Sequence, residues 1–496
     1  MNAMKRLWEY FNEIMHFRYI EALLSWDEQV YMPKSSIRKR ADQMALIRQL
    51  IHSRIKSKKT HELIRDAEEL NDLSDIDFAM IREAKREYKQ ATKIPNNLIA
   101  EIAKTSAIGH IEWEKSRAKS DFSIFKPYLE KIIKLRKEFA EKLDTGPTLY
   151  STLIDLFEPG STYDSILSIF NSLKPKLVQI VKKLNNVSDK PTKSILKQHY
   201  KAERQWQLSL DILRKLNFDF NNGRQDKAIH PFTVSLSSID TRITTRIRED
   251  FLPDCLFSTI HECGHAFYQM GFKKQIKGTV LADGCSMGIS ESQSRLWENM
   301  VGRSKEFWNY WYPIYQKAFP ENLKSYPLEK FYRSINVVEP SFIRVDADEV
   351  SYGLHIILRF EIEKMIIEDD FKVAELPELW NSKMNDLLGI IPPNDALGVL
   401  QDVHWTSGFG YFPSYFLGNL YAAQIFAFFL KENPNIPKDF EKGDFTSLLH
   451  YLRKNVHQYG KIYRAPELIR KITGEVLNPD YFIKYAEKKY YEIYGI

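Results

Sequence analysis

The sequence predicts a mainly α-helical protein. Three observations carry that reading. Apolar residues recur at the helical interval through most of the chain, and glycine and proline are scarce, at 20 and 21 of 496 residues. No internal repeat, low-complexity tract or Gly/Ser linker interrupts the pattern. A chain of this length would ordinarily suggest two or three domains, but the missing linkers favour one continuous unit over residues 1–496.

Taken in order, Met4, Trp8, Phe11, Met15, Tyr19 and Ala22 mark a first helix that Met32-Pro33 ends. Residues 40–55 resume the helical period, which continues to about Leu216. Breaks are expected at Ile94-Pro95-Asn96, Lys126-Pro127, Glu158-Pro159-Gly160 and Lys190-Pro191. Residues 229–248 change character: two stretches rich in β-branched side chains, separated by turn chemistry, read as a hairpin. Such a strand could hold an extended peptide, or could be purely structural. The helical pattern then returns. Residues 342–355 read as an apolar helix that sets Arg344 among Asp346, Asp348 and Glu349. Residues 387–394 read as a loop, residues 408–415 as a Gly- and Tyr-rich mobile wall, and residues 481–494 as a last helix.

The most informative stretch is Ser258-Thr-Ile-His261-Glu262-Cys-Gly-His265-Ala-Phe-Tyr268. Side chains four apart on a helix sit one turn above each other, so His261 and His265 can share one metal ion. Glu262 lies about 100° round the helix, where it can act as a general base without ligating. Ile260, Phe267 and Tyr268, with Leu256 and Phe257, supply the apolar face that buries the helix. Gly264 weakens the helix by about 1 kcal/mol, which suggests that another backbone must come close there. A catalytic zinc site has three protein ligands and an open position. Position 268 is Tyr where a third histidine pattern would want Gly, so a downstream carboxylate is needed. Glu291 is the preferred third ligand and Glu298 its rival. Ser290 and Gln293 read as a capping box at the start of the helix that carries Glu291.

Composition narrows the function classes. A net charge of +6 over 71 basic and 65 acidic side chains gives no case for nucleic-acid binding. Three cysteines, Cys255, Cys263 and Cys285, are too few for a disulfide framework, and Cys263 reads as packing. The first ten residues are amphipathic and charged, without a signal-peptide apolar core, and the longest apolar run falls short of a membrane span. These features suggest a soluble cytoplasmic protein with no membrane partner.

The chain resembles the M32 metallocarboxypeptidases of the carboxypeptidase Taq type. The resemblance runs through Trp26-Asp27, Met32-Pro33, Ile94-Pro95, Glu158-Pro159-Gly160 and His230-Pro231-Phe232. It continues through Asp240-Thr-Arg242-Ile-Thr244, the His261 motif, Glu291-Ser-Gln293-Ser, Arg344-Val-Asp-Ala347-Asp348 and Gly398-Val-Leu-Gln401-Asp402-Val-His404-Trp405. It implies a two-lobed helical, zincin-like fold around a deep groove floored by a small antiparallel sheet, and a homodimer. It also implies His261, His265 and Glu291 as ligands of zinc (Zn2+), with cobalt (Co2+) as a possible substitute, and Glu262 as the general base. By the same resemblance Arg344 grips a substrate's terminal carboxylate, while His230, His404 and either Tyr411 or Tyr415 line the substrate site. Two positions depart from the family pattern: Ser290 stands where His is usual, and Asp346 where Glu is common. The first could alter the support of Glu291 and hence metal affinity.

The expected activity is removal of single residues from the free C-termini of peptides by metal-activated water. Two other readings are an endo-acting zinc oligopeptidase of thimet type and a non-catalytic helical peptide-binding protein with a vestigial metal site.

Overall fold

In the computed structural model, which describes residues 2–496, helices account for most of the chain and a single small sheet lies near its middle. The first helix, Ala3–Val30, is capped by Asn2, whose side chain accepts the Met4 N–H, and buries Leu7, Phe11 and Ile14. It ends ahead of Met32-Pro33, since the residue before a proline is driven from helical geometry. Ile94-Pro95 likewise separates Asp75–Lys93 from Asn96–Lys119, and Glu158-Pro159-Gly160 lies in the link ahead of Tyr163–Asn185.

Lys126-Pro127 does not end a helix. Pro127 lies inside Phe122–Leu143, giving up one main-chain hydrogen bond. The break comes earlier, at Ser120 with φ 53° and at Asp121, whose side chain caps the new helix by accepting the Ser123 N–H.

The sheet is mixed, not purely antiparallel. β2 (Thr233–Ser237) and β3 (Asp240–Thr245) form the expected hairpin, shorter than residues 229–248, with Pro231 lying outside the strands. β1 (Gly223–Lys227) adds to the other edge of β3 in parallel, giving the order β1-β3-β2. Its sequence, Gly-Arg-Gln-Asp-Lys, has no β-branched alternation. Tertiary bonds help to hold it, from Gln225 Nε2 to Ser209 Oγ (2.8 Å) and from Tyr31 Oη to Asp226 (2.7 Å).

One hydrophobic core runs without interruption from Met4 to Tyr494, with a small satellite around Ile94, Leu98, Leu135 and Leu143. No helix among the described residues is long and apolar enough to cross a membrane. The helix Pro253–Met270 packs on the hairpin and against Met287–Arg295, which in turn packs against Phe412–Glu432. The first two of these helices cross at Gly264, where a β-carbon would stand 2.6 Å from the Gln293 carbonyl oxygen. That contact is the close backbone approach for which the glycine gives up helix propensity.

Candidate metal centre and substrate site

The helix Pro253–Met270 opens with proline at its first position and buries Leu256, Phe257, Ile260, Cys263, Ala266 and Phe267. Cys263 packs into the core. The face left over carries His261 and His265, whose ring centres lie 5.0 Å apart.

Both rings turn Nε2 toward Glu291, at 3.7 Å from His261 and 4.0 Å from His265. The three candidate donor atoms lie within 4.8 Å of one another. Each Nδ1 is occupied elsewhere: that of His261 meets Glu298 Oε2 at 2.9 Å, and that of His265 meets Ser290 Oγ at 3.1 Å. These contacts leave both Nε2 atoms free for an ion, the usual arrangement of metal-binding histidines. Burial pushes His265 down to about 4, so it is neutral, as a ligand must be. The donor set of two imidazoles and one carboxylate therefore fits a divalent metal.

Glu298, the rival ligand, lies on the far side of His261. It also pairs with Arg295 (3.3 Å) and Arg303 (3.2 Å) in a π-helical turn, Leu296–Val301, that continues the Glu291 helix. Such turns are frequent at functional sites. Ser290 and Gln293 form no capping box. The cap is Ser286, which accepts the Ile289 N–H, and the helix runs Met287–Arg295 with Ser290 inside it. Beneath its first turn Glu158, fully buried, accepts the Gly288 N–H at 2.5 Å.

Glu262 is buried and raised above the ordinary carboxylate value by burial, with His261 and Thr233 acting against the rise. Thr233 Oγ1, from β2, donates to Glu262 Oε2 at 2.6 Å. The hairpin thus orients the acid of the metal helix, a contact the motif alone did not reveal.

Arg344 is not part of an apolar helix. It lies in a 3-10 turn, Arg344–Asp346, ahead of the helix Ser351–Glu368, which Asp348 caps through the Val350 and Ser351 N–H groups. Its carboxylate partner is neither Asp346 nor Asp348. Nε and Nη2 both donate to Asp402 Oδ1, at 3.1 and 3.0 Å, and Nη1 donates to the Tyr352 hydroxyl at 3.2 Å. The fully buried Arg359 binds the other oxygen of Asp402. Burial opposes ionisation of Asp402, yet the two guanidiniums hold it far below the usual range.

The Gly- and Tyr-rich stretch 408–415 follows a 3-10 turn, Val403–Thr406; residues 408–411 are without regular structure and residues 412–415 open the helix Phe412–Glu432, so Tyr415 is helical. Pro413 near the start of that helix pre-sets its first turn. Tyr415 Oη lies 3.3 Å from His404 Nε2, and the ring centres of Tyr411 and Tyr415 lie 4.9 Å apart. Burial raises both tyrosines, with the Glu291 charge adding to the rise. Burial and the adjacent Arg344 push His404 down to about 4. His230 is exposed in the link between β1 and β2.

A helical chain whose His-Glu-x-x-His helix faces a carboxylate as third candidate ligand is built as a metal-dependent hydrolase. The model of the carboxypeptidase Taq (M32) metallopeptidases matches residues 6–490. The chain is 40% identical over 492 residues to carboxypeptidase 1 of Bacillus subtilis, covering 99% of this chain and 98% of that protein. It is 38% identical over 506 residues to thermostable carboxypeptidase 1 of Thermus thermophilus, covering 99% of each. The crystal structure of the M32 carboxypeptidase from Deinococcus radiodurans R1 superposes with a TM-score of 0.97 at 35% identity, covering 100% of both chains. The chain belongs to the M32 metallocarboxypeptidase family and is a peptide-hydrolysing metalloenzyme.

Proposed function

We propose that this carboxypeptidase releases single C-terminal residues at a zinc ion held by His261, His265 and Glu291. The observation that carries the proposal is that both Nε2 atoms face one carboxylate while both Nδ1 atoms are engaged elsewhere. Two imidazoles and a carboxylate form a donor set that zinc takes in catalytic sites, and cobalt suits the same set. When bound, the ion supplies Lewis-acid polarisation of the scissile carbonyl and acidifies water.

Glu262 carries the proton. Thr233 pins its Oε2, which leaves Oε1 to take a proton from water and pass it to the leaving amine. Tyr411 and Tyr415 keep their hydroxyl protons and can donate to the developing oxyanion, an effect of about 3–4 kcal/mol in comparable sites. His404, hydrogen-bonded to Tyr415, orients that donor.

Arg344 is assigned to the terminal carboxylate. Within its cluster two guanidiniums, Arg344 and Arg359, share one carboxylate, Asp402. His355 and His404 are held neutral beside them, pushed down to about 3 and about 4, chiefly by burial. One positive charge is left over, and a peptide's free C-terminus would balance it. His230 is kept as a further substrate contact. The continuous core supports a single catalytic unit over residues 1–496, and three free buried cysteines support a reducing, cytoplasmic setting. Pairing into a homodimer rests on the family resemblance.

The test compares two peptides identical but for a free or amidated C-terminus, following released amino acids. Stepwise release from the free peptide alone is expected. Equal cleavage of both would favour the endo-acting reading instead.

A further inference from the structure

One buried side chain outside the metal site grips the segment that carries the substrate wall at both ends. Glu363 lies in the helix Ser351–Glu368 and is 1% exposed. Its Oε1 accepts the indole N–H of Trp405 at 3.1 Å. Its Oε2 accepts the main-chain N–H of Gly410 at 2.9 Å and the hydroxyl of Tyr150 at 2.8 Å. Trp405 directly follows His404, and Gly410 directly precedes Tyr411. A single carboxylate therefore sets the span between the two wall residues.

The surroundings leave that segment little freedom. Gly410 has φ +88°, and a β-carbon there would stand 2.6 Å from the Leu153 carbonyl carbon, so the backbone is pressed against the helix Leu149–Asp155. Trp405 is 1% exposed and packs edge-on against Trp380 at 5.7 Å. The carboxylate has no hydrogen-bonded cation: Arg359, on the same helix, spends its donors on Asp402, Gln401 and the His355 carbonyl. Burial accordingly pushes Glu363 up to about 7. An unpaired buried carboxyl is expensive, and three converging donors give it a geometric task that an apolar residue could not perform.

We infer that Glu363 is a positioning residue of the peptidase: it holds His404 and Tyr411 in register with the metal centre without touching substrate. The inference rests on the reading that these two residues act on substrate.

The test uses the metal-loaded enzyme with Glu363→Gln, Trp405→Phe and the double variant. Glutamine keeps one oxygen for Gly410 and Tyr150 but sets an amide NH2 against the Trp405 N–H. Glu363→Gln should lower kcat about 10- to 100-fold with KM little changed, since small misplacements of catalytic groups have effects of that size. Metal stoichiometry should stay constant, and the Gly410 amide should exchange hydrogen faster. Adding Trp405→Phe removes the opposed N–H and should return kcat to that of Trp405→Phe alone. Unchanged kcat in Glu363→Gln, or a loss that only follows the unfolded fraction, would overturn the inference. Wild-type kinetics in both His404→Ala and Tyr411→Phe would overturn the underlying reading. In that case faster Gly410 exchange would still report the clamp, so the two failures are distinguishable.

Discussion

Gly418 is pressed against Glu291: a β-carbon at Gly418 would stand 2.5 Å from Glu291 Cβ and 3.2 Å from the Glu291 carbonyl carbon. The helix Met287–Arg295 is thus squeezed from two sides, by Gly264 of the histidine helix and by Gly418 of Phe412–Glu432. Neither contact can yield at a flexible side-chain tip, because the atoms met are backbone or Cβ. Gly418→Ala should push Glu291 away from the histidines and weaken metal binding at least about 10-fold, within the range known for altered ligand support. Overpacking should also lower stability by about 1–3 kcal/mol. Titrating apo-enzyme with zinc against a competing chelator checks the first expectation, and unchanged affinity would refute it.

The two histidines are oriented by unequal partners, a carboxylate for His261 and a hydroxyl for His265. The Glu298 carboxylate only accepts, so it places the hydrogen of His261 on Nδ1, whereas the Ser290 hydroxyl can donate or accept and holds the His265 ring by the weaker bond. Ser290→Ala should therefore reduce metal affinity about 10-fold, toward the lower end of the range for such support, with little change in thermal stability. Apo-enzyme titration reads the affinity, and calorimetry of the apo form reads the stability. A wild-type affinity in this variant would show that the hydroxyl does not orient the ring.

How much of this was legible in the sequence depends on distance along the chain. The helical class and the His261–His265 pairing are local, carried by periods of a few residues, and could be read directly. Ser286 and Ser290 lie one helical turn apart, so pattern alone could not say which of them caps the helix. Pro127 resembled a stop signal because a proline announces a boundary only when the residues around it do so too. β1 was invisible, since Gly-Arg-Gln-Asp-Lys pairs through its backbone and tertiary bonds and not through a hydrophobic face. The Arg344–Asp402 pair spans 58 residues, and no local rule selects that acid over Asp346 or Asp348.

Glu158 gives the protein a pH-dependent stability. Burial raises its carboxyl from the ordinary 4.5 to about 7, against hydrogen bonds that favour the charged form. Between those values the folded state holds a proton that the unfolded chain has released. Its stabilising contribution is therefore complete below about pH 4.5, is lost as pH rises toward 7, and stays lost above that. The slope for one such group is at most about 1.4 kcal/mol per pH unit. Glu363, also raised to about 7, acts with the same sign. Glu158→Gln should keep the Gly288 contact and remove part of the slope. Melting temperatures of both proteins between pH 5 and 8 test this, and parallel curves would assign the slope elsewhere.

Thr233 is expected to govern the chemical step through Glu262. Its hydroxyl donates to one carboxylate oxygen at 2.6 Å, a charge-assisted bond that fixes the rotation of the acid and leaves the other oxygen for proton transfer. Without that bond the carboxylate can turn, and the catalytic oxygen is correctly placed for only part of the time. A hydrogen bond to a charged group contributes about 1.5–3 kcal/mol, so Thr233→Val should lower kcat about 10- to 100-fold. KM should change little, because no substrate contact is removed, and metal content should stay at the wild-type level. Thr233→Ser, which restores the hydroxyl, should recover most of the loss. Glu262→Gln removes the proton carrier itself and should cost about 100- to 10,000-fold while the metal stays bound. Adding Thr233→Val to Glu262→Gln should then change nothing further, because the threonine acts only through the acid. A further drop in the double variant would mean that β2 contributes to the reaction by some route other than the hold on Glu262.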